Sequence, residues 1–225
     1  MKADWNDFTF VALHGFASGP RSRKNEHFRP RLAARGVTLQ TPDLNQPSFA
    51  RLSFAAMRDE VERTFQAGGR KPLRMIGSSL GGYVAAYFAA SFPERVDRLI
   101  LLCPAFGLAD RWRDLIAPEK LSEWRERGWL AFDDATGQSV PIHYRFFLEG
   151  FEVPRMPEVP CPTILVHGRD DETVPFDQSV RYAAQNENVR ELIAVPDGHD
   201  LLASLDVIDR AIDRHFFDEE TPCSV

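Results

Sequence analysis

The sequence predicts an α/β fold: a mostly parallel sheet flanked by helices on both faces, with a small helical cap inserted near the middle of the chain. Three observations carry this. Runs rich in β-branched and apolar residues alternate with amphipathic helical segments, the order that places helices on both faces of a parallel sheet. Residues 96–103 read as a central strand buried on both faces, with an unbroken apolar run from Leu99. From Pro104 to Cys161 the alternation stops, and charged helical segments and aromatics replace it. At 225 residues the chain exceeds the roughly 150 residues typical of a domain. One domain over residues 1–225 interrupted by an insertion over 104–161 accommodates that length better than two full domains.

Taken in order, residues 8–13 are the first strand, ending at His14-Gly15-Phe16. A loop through Gly19-Pro20 leads into a helix over 22–34, stopped by Gly36. Residues 37–40 form a short strand that Thr41-Pro42-Asp43 breaks. Ser53 caps the next helix, where Phe54, Met57, Val61 and Phe65 recur at helical spacing until Gly68-Gly69. Residues 73–76 are a strand that runs through Gly77-Ser78-Ser79-Leu80-Gly81-Gly82 into an apolar helix over 83–91, and the central strand 96–103 follows. Beyond the insertion come a strand over 163–167, a helix that Pro175 starts and that runs toward Gln185, and a strand over 191–195. The last helix, 204–217, puts Leu205, Ile208, Ile212 and Phe216 on one face, and the acidic run after it is a solvated end.

Composition narrows the function classes. With 44% apolar and 27% charged residues, the chain is neither disordered nor collagen-like. Acids outnumber bases 33 to 27, a net charge of −6, which argues against a nucleic-acid partner because such binding needs a basic footprint. Cys103, Cys161 and Cys223 form no C-x-x-C pair, so neither a disulfide framework nor a metal site is indicated, and a reducing cytoplasm fits. The polar, acidic start lacks the features of a signal peptide. No apolar run approaches the roughly 20 residues that cross a bilayer, so no membrane span is expected.

Gly77-Ser78-Ser79-Leu80-Gly81 fits G-x-S-x-G between a strand and a helix, the setting of a nucleophile elbow. The glycines two positions either side of Ser79 lack the Cβ atoms that would clash as the strand folds back onto the helix. Ser79 is therefore the candidate nucleophile; the competing reading is a Gly/Ser loop that holds phosphate on backbone N–H groups. A serine hydroxyl needs a general base, and the base needs a carboxylate. Of six histidines, His199 in Pro196-Asp197-Gly198-His199 lies after the last strand, where a loop at the sheet edge reaches Ser79. His14 belongs to the first loop, His27 and His215 sit on helices and read as solvent-exposed, His143 lies in the insertion, and His167 packs at a strand end or bonds a loop. Asp171, in the turn before Pro175, supplies the acid in the order Ser, Asp, His. Asp170 is its rival, while Asp197 and Asp200 suit turns. Backbone N–H groups of Phe16 and Leu80 would form the oxyanion hole, where losing one donor typically costs about 3 to 4 kcal/mol.

With these motifs in this order, the chain resembles the α/β-hydrolase superfamily over nearly its whole length: Leu13-His14-Gly15-Phe16, Ile76-Gly77-Ser78-Ser79-Leu80-Gly81, His167-Gly168-x-x-Asp171-x-x-Val174-Pro175 and Gly198-His199. The stretches His14-Gly15-Phe16-x-Ser18-x-Pro20-x-Ser22-x-Lys24 and Gly77 to Tyr83 are similar to the small bacterial YqiA-like esterases. That resemblance implies hydrolysis of carboxylic esters or acyl thioesters, including acyl-CoA, without a cofactor. It also implies that residues 104–161 lie as a cap over the active site.

The insertion holds three of the four tryptophans, with several phenylalanines. These aromatics either pack the cap onto the core or line an acyl pocket, for which Trp112, Trp129, Phe146 and Phe147 are the candidates. The basic run Arg21, Arg23, Lys24, Arg29, Arg31 and Arg35 reads as a solvated helix face, or as an attractor for a phosphate-bearing leaving group. The partner expected is thus a small-molecule ester or thioester. Other chemistry on the same triad (carbon–carbon bond hydrolysis, amide cleavage, perhydrolysis) and a non-catalytic ligand-binding protein are the alternatives, and oligomeric state is left open.

Overall fold

The computed structural model describes residues 5–218 apart from residue 135. Cys223 and the acidic run beyond Asp218 lie outside the described residues. Strands β1 (Thr9–Leu13), β2 (Leu39–Gln40), β3 (Leu73–Ser78), β4 (Val96–Leu102), β7 (Thr163–Gly168) and β8 (Val189–Val195) form one sheet in the order β2-β1-β3-β4-β7-β8. Every pairing in it is parallel. Helices α1 (Arg23–Ala33), α2 (Phe54–Ala67), α3 (Leu80–Ser91), α7 (Phe176–Gln185) and α8 (Leu205–Ile212) cover its two faces.

Side chains alternate across a strand, and this divides the core cleanly. Val11, Leu13, Leu99 and Leu101 join Met57 and Val61 of α2, most of α3 and Tyr182 of α7 on one face. Phe10, Ala12, Ile100 and Leu102 join Phe28 and Leu32 of α1 and Ile208 and Ile212 of α8 on the other. Helix α3 is buried on nearly every side, which explains why Tyr83-Val84-Ala85-Ala86 carries no polar stripe. Ser22 and Ser53 cap α1 and α2, their hydroxyls accepting from Asn25 N–H at 3.2 Å and Ala56 N–H at 3.3 Å.

The strand order positions the site. From β1 the chain runs outward to β2, then crosses back to β3 on the other side of β1. Connections leaving the C-terminal ends of β1 and β3 therefore diverge, opening a crevice at the place where ligands bind in open α/β sheets. Leu13 lies in register with Gly77, so the loop after His14 and the turn at Ser79 are neighbours. On the far side, Gly168 pairs with Val195, which brings together the loops carrying Asp171 and His199.

Two expectations change. The short strand expected over 37–40 contracts to Leu39–Gln40, and the stretch 104–161 is not wholly helical. It contains α4 (Leu108–Leu115), α5 (Pro118–Arg127), an antiparallel hairpin of β5 (Trp129–Asp133) and β6 (Ser139–His143), and α6 (Tyr144–Glu152). The hairpin turn forms because Asp134 Oδ1 accepts from the Thr136 and Gln138 N–H groups at 2.8 and 3.1 Å, with Gly137 at φ +78°. Such Asp and Gly turn chemistry outweighs the helical reading of the charged residues around it. The segment is anchored to α2 by Glu149, whose Oε1 accepts from Ser53 Oγ–H at 3.0 Å and Ala55 N–H at 2.9 Å.

Candidate active site

Ser79 occupies a strained turn between β3 and α3, with φ +53° and ψ −117°, a region non-glycine residues seldom enter. The surroundings fix it there: Ser79 N–H donates to Leu102 O at 2.8 Å, and Ser79 O accepts from Tyr83 N–H and Ala105 N–H, each at 3.1 Å. A Cβ on Gly77 would lie 2.5 Å from Gly81 O, and one on Gly81 would lie 2.5 Å from His14 O. Only glycine lets β3, α3 and the end of β1 approach so closely.

His199 Nε2 stands 2.9 Å from Ser79 Oγ, and His199 Nδ1 stands 2.7 Å from Asp171 Oδ2. The ionised carboxylate only accepts, so Nδ1 carries the proton and Nε2 is free to accept from the serine hydroxyl. The Asp171 side chain is fully buried and that of His199 is 22% exposed. Asp171 Oδ1 accepts from Thr173 N–H at 2.9 Å and Val174 N–H at 2.8 Å. Burial by itself would raise the Asp171 pKa, yet the hydrogen bonds from His167, His199 and Val174 hold it well below the usual carboxylate range. Asp170 is exposed, and Asp197 is engaged in its own turn, accepting from Gly198 N–H at 2.8 Å and Ala203 N–H at 3.0 Å.

The expected oxyanion donors lie in the loop after β1, at Phe16, and at the start of α3, at Leu80. Among the described residues the Phe16 N–H has no acceptor. Leu80 is the first residue of α3, where an N–H has no intrahelical acceptor. Gly15 backs onto the serine, since a Cβ there would lie 3.3 Å from Ser79 Cβ. His14 shapes this loop: it is 1% exposed, its Nδ1 is 2.9 Å from Gly15 O, and its Nε2 accepts from Leu44 N–H at 2.9 Å.

A cleft of about 850 Å³ opens in front of Ser79 and His199, bounded by residues 15–24, Ser78, Asp200, Leu202 and Thr136 at the tip of the β5–β6 hairpin. None of Trp112, Trp129, Phe146 and Phe147, the residues expected to build an acyl pocket, lines it. Phe146 and Phe147 are 1% and 6% exposed within the core, and Trp112 stacks on Phe132 at 5.1 Å. Trp129 packs edge-on to His143 at 4.6 Å. These rings satisfy one another instead of leaving room for a substrate.

The basic run divides in two. Arg21, Arg23 and Lys24 line the cleft, whereas Arg31 and Arg35 pair with Asp213, each at 2.9 Å, and Arg29 lies 3.5 Å from Glu26. Among the described residues Arg21 and Arg23 have no ion-pair partner. Lys24 donates to Asp200 O at 2.8 Å, tying α1 to the His199 loop. His27 bonds Asp209 at 3.0 Å and His215 is buried against Pro162 O at 3.2 Å, so neither is the solvated side chain that its helical position suggested.

Sequence reasoning missed the group behind the acid. Ligand atoms of Cys103, His167 and Asp171 lie within 4.8 Å of one another, all buried. They could converge on a cation only by giving up bonds they already make. Burial pushes the Cys103 thiol pKa up, and the nearby Asp171 carboxylate raises it further. The signal available in the sequence was His167-Gly168 at the end of an apolar strand, four residues before the acid.

Two solved structures share the architecture. Est1E from Butyrivibrio proteoclasticus with ferulic acid bound superposes with a TM-score of 0.76 at 19% identity, covering 92% of this chain and 87% of that one. The α/β hydrolase domain-containing protein 10 from mouse gives 0.72 at 21% identity, over 91% and 88%. Among relatives in sequence, the 2-hydroxy-6-oxo-6-phenylhexa-2,4-dienoate hydrolase of Burkholderia cepacia is 25% identical over 84% of this chain and 80% of its own length. The mitochondrial palmitoyl-protein thioesterase ABHD10 of Mus musculus is 28% identical over 60% of this chain and 48% of its own. Residues 9–213 match the uncharacterised protein family UPF0227. The chain belongs to that family, and its fold is that of the α/β hydrolases.

Proposed function

We propose that the chain is a serine hydrolase that cleaves carboxylic esters or acyl thioesters through an acyl-enzyme. The observation that carries this is the unbroken hydrogen-bonded series Ser79 Oγ, His199 Nε2, His199 Nδ1 and Asp171 Oδ2, at 2.9 and 2.7 Å. Ser79 attacks the carbonyl carbon while His199 Nε2 accepts the hydroxyl proton, and the buried Asp171 carboxylate stabilises the imidazolium. The oxyanion is held by the Phe16 and Leu80 N–H groups. His199 then passes its proton to the departing alkoxide or thiolate. In the second half, water gives a proton to His199 and attacks the acyl carbon, and Ser79 leaves with that proton.

Residues 104–161 serve this site as a cap whose hairpin tip, through Thr136, borders the cleft. No helix among the described residues is long and apolar enough to cross a membrane, and the free, buried Cys103 and Cys161 suit a reducing cytoplasm. The relatives named for oxo-dienoate hydrolysis favour one competing reading, carbon–carbon bond hydrolysis on the same triad.

The test is labelling by a fluorophosphonate probe, followed by one acyl series offered as p-nitrophenyl esters and as CoA thioesters. Labelling of the wild type and none of Ser79→Ala is expected, with turnover in the acyl series. Equal labelling of both proteins sinks the serine mechanism. Labelling without turnover of any ester or thioester, but with cleavage of an oxo-dienoate, replaces the substrate class.

A further inference from the structure

We propose that His167 is a positioning residue for the catalytic acid: held as a neutral Nε2–H tautomer, it donates to the same Asp171 oxygen that accepts from His199, and so sets that carboxylate's orientation and basicity. This rests on the serine-hydrolase reading above.

The protonation of His167 follows from its neighbours. Its Nε2 faces Val174 O at 3.0 Å and Asp171 Oδ2 at 3.1 Å. Both are acceptors, so Nε2 carries a hydrogen and shares it between them. On the other side of the ring, Nδ1 lies 2.7 Å from Ser179 Oγ. Both His167 and Ser179 are 0% exposed, and a second imidazolium there would compete for a carboxylate already shared with His199. The neutral form, in which the Ser179 hydroxyl donates to Nδ1, satisfies every partner without burying another charge.

Asp171 Oδ2 thus receives His167 and His199 together, while Oδ1 receives two backbone N–H groups. A carboxylate with donors on both oxygens has little freedom to rotate away from His199. Each added donor also draws charge from the oxygen that stabilises the imidazolium. The Cys103 thiol just after β4 and Lys24 from α1 both interact with Asp171, and Lys24 also interacts with Asp197 and Asp200 of the His199 loop. Lys24 and Asp200 are engaged with one another through the Asp200 carbonyl, and Asp197 is engaged in its turn.

His167→Phe removes the donor and His167→Gln returns an N–H to roughly the Nε2 position. With a p-nitrophenyl ester as substrate, His167→Phe should lower kcat about tenfold at nearly unchanged KM. The acidic limb of its kcat/KM profile should move up by about half a pH unit, because Asp171 then bears more fully on His199. His167→Gln should recover most of both. Ser179→Ala, which frees Nδ1, should shift the limb in the same direction by less, and it carries the test should His167→Phe fail to fold. An unmoved limb in the folded variants, or equal losses in Phe and Gln, overturns the positioning role. Fluorophosphonate labelling separates the two levels: a wild type that does not label at Ser79 refutes the hydrolase reading itself, whereas equal labelling rates in wild type and His167→Phe refute only this proposal.

Discussion

Lowering the pH from about 7.5 to about 5 should cost the folded chain roughly 2 kcal/mol through His215 alone. His215 follows α8, 6% exposed, and its Nε2 is 3.2 Å from Pro162 O. Burial, and then the charges of Arg98 and Arg74, lower its pKa from 6.5 to about 4. The unfolded chain therefore takes up a proton as the pH falls through 6.5, while the folded chain stays neutral there until about 4. Stability is complete above the upper value and is lost across that window. At about pH 5 the unfolded form is some 1.5 units below its midpoint, and at about 1.4 kcal/mol per unit this gives the figure above. The assay is urea unfolding followed by tryptophan fluorescence at both pH values, for wild type and His215→Gln, which keeps a donor for Pro162 O but does not titrate. Wild type should lose roughly 2 kcal/mol more than the variant between the two conditions. Other titrating groups, including Asp171, are common to both proteins and cancel. Equal losses would refute the reasoning.

Two further outcomes follow from the site. Gly81→Ala would force a Cβ against His14 O at 2.5 Å; it should destabilise by about 1 to 3 kcal/mol, as overpacking does, and abolish fluorophosphonate labelling, with thermal melts and gel fluorescence as the readouts. Arg21 and Arg23 line the cleft without ion-pair partners among the described residues, so their joint replacement by Glu should lower kcat/KM for a CoA thioester relative to a neutral ester by about tenfold at low salt. That ratio should approach the wild-type value as salt screens the charges, and a salt-independent ratio would argue against an electrostatic role.

The parallel core was legible because its signals are local and repeat. Alternation of apolar residues across β1 and β4 marks two buried faces, and Ser53 with Phe54, Met57, Val61 and Phe65 marks a capped amphipathic helix. Elements whose existence depends on distant partners were harder to see. β2 keeps only Leu39–Gln40 because just Phe10 and Val11 of β1 pair with it at the sheet edge. The β5–β6 hairpin depends on Asp134 closing its turn and on Trp124 Nε1–H reaching Ile142 O at 2.9 Å, contacts that no period in the sequence announces.

The same distinction separates the parts of the site. Ser79, Asp171 and His199 each follow a strand in a glycine-bearing or proline-bearing turn, so each could be singled out as a candidate from local context, and the structure brings the three side chains together. The work of the aromatics was not, because it is relational. Instead of lining the cleft, the rings of the insertion support one wall of it from behind: Phe16 packs against Trp112 at 5.2 Å and Phe132 at 5.8 Å, and against Phe49 at 5.4 Å. Trp112 and Phe132 in turn rest on the fully buried Trp124. Phe16 carries one of the two N–H groups proposed for the oxyanion hole, and pre-positioned donors act only when the backbone bearing them does not have to reorganise. On the proposed mechanism, the surplus of aromatics between residues 104 and 161 thus bears on the chemistry through rigidity. It holds the loop after β1 in place, while the residues facing the open cleft, Arg21 and Arg23 among them, are left to meet the substrate.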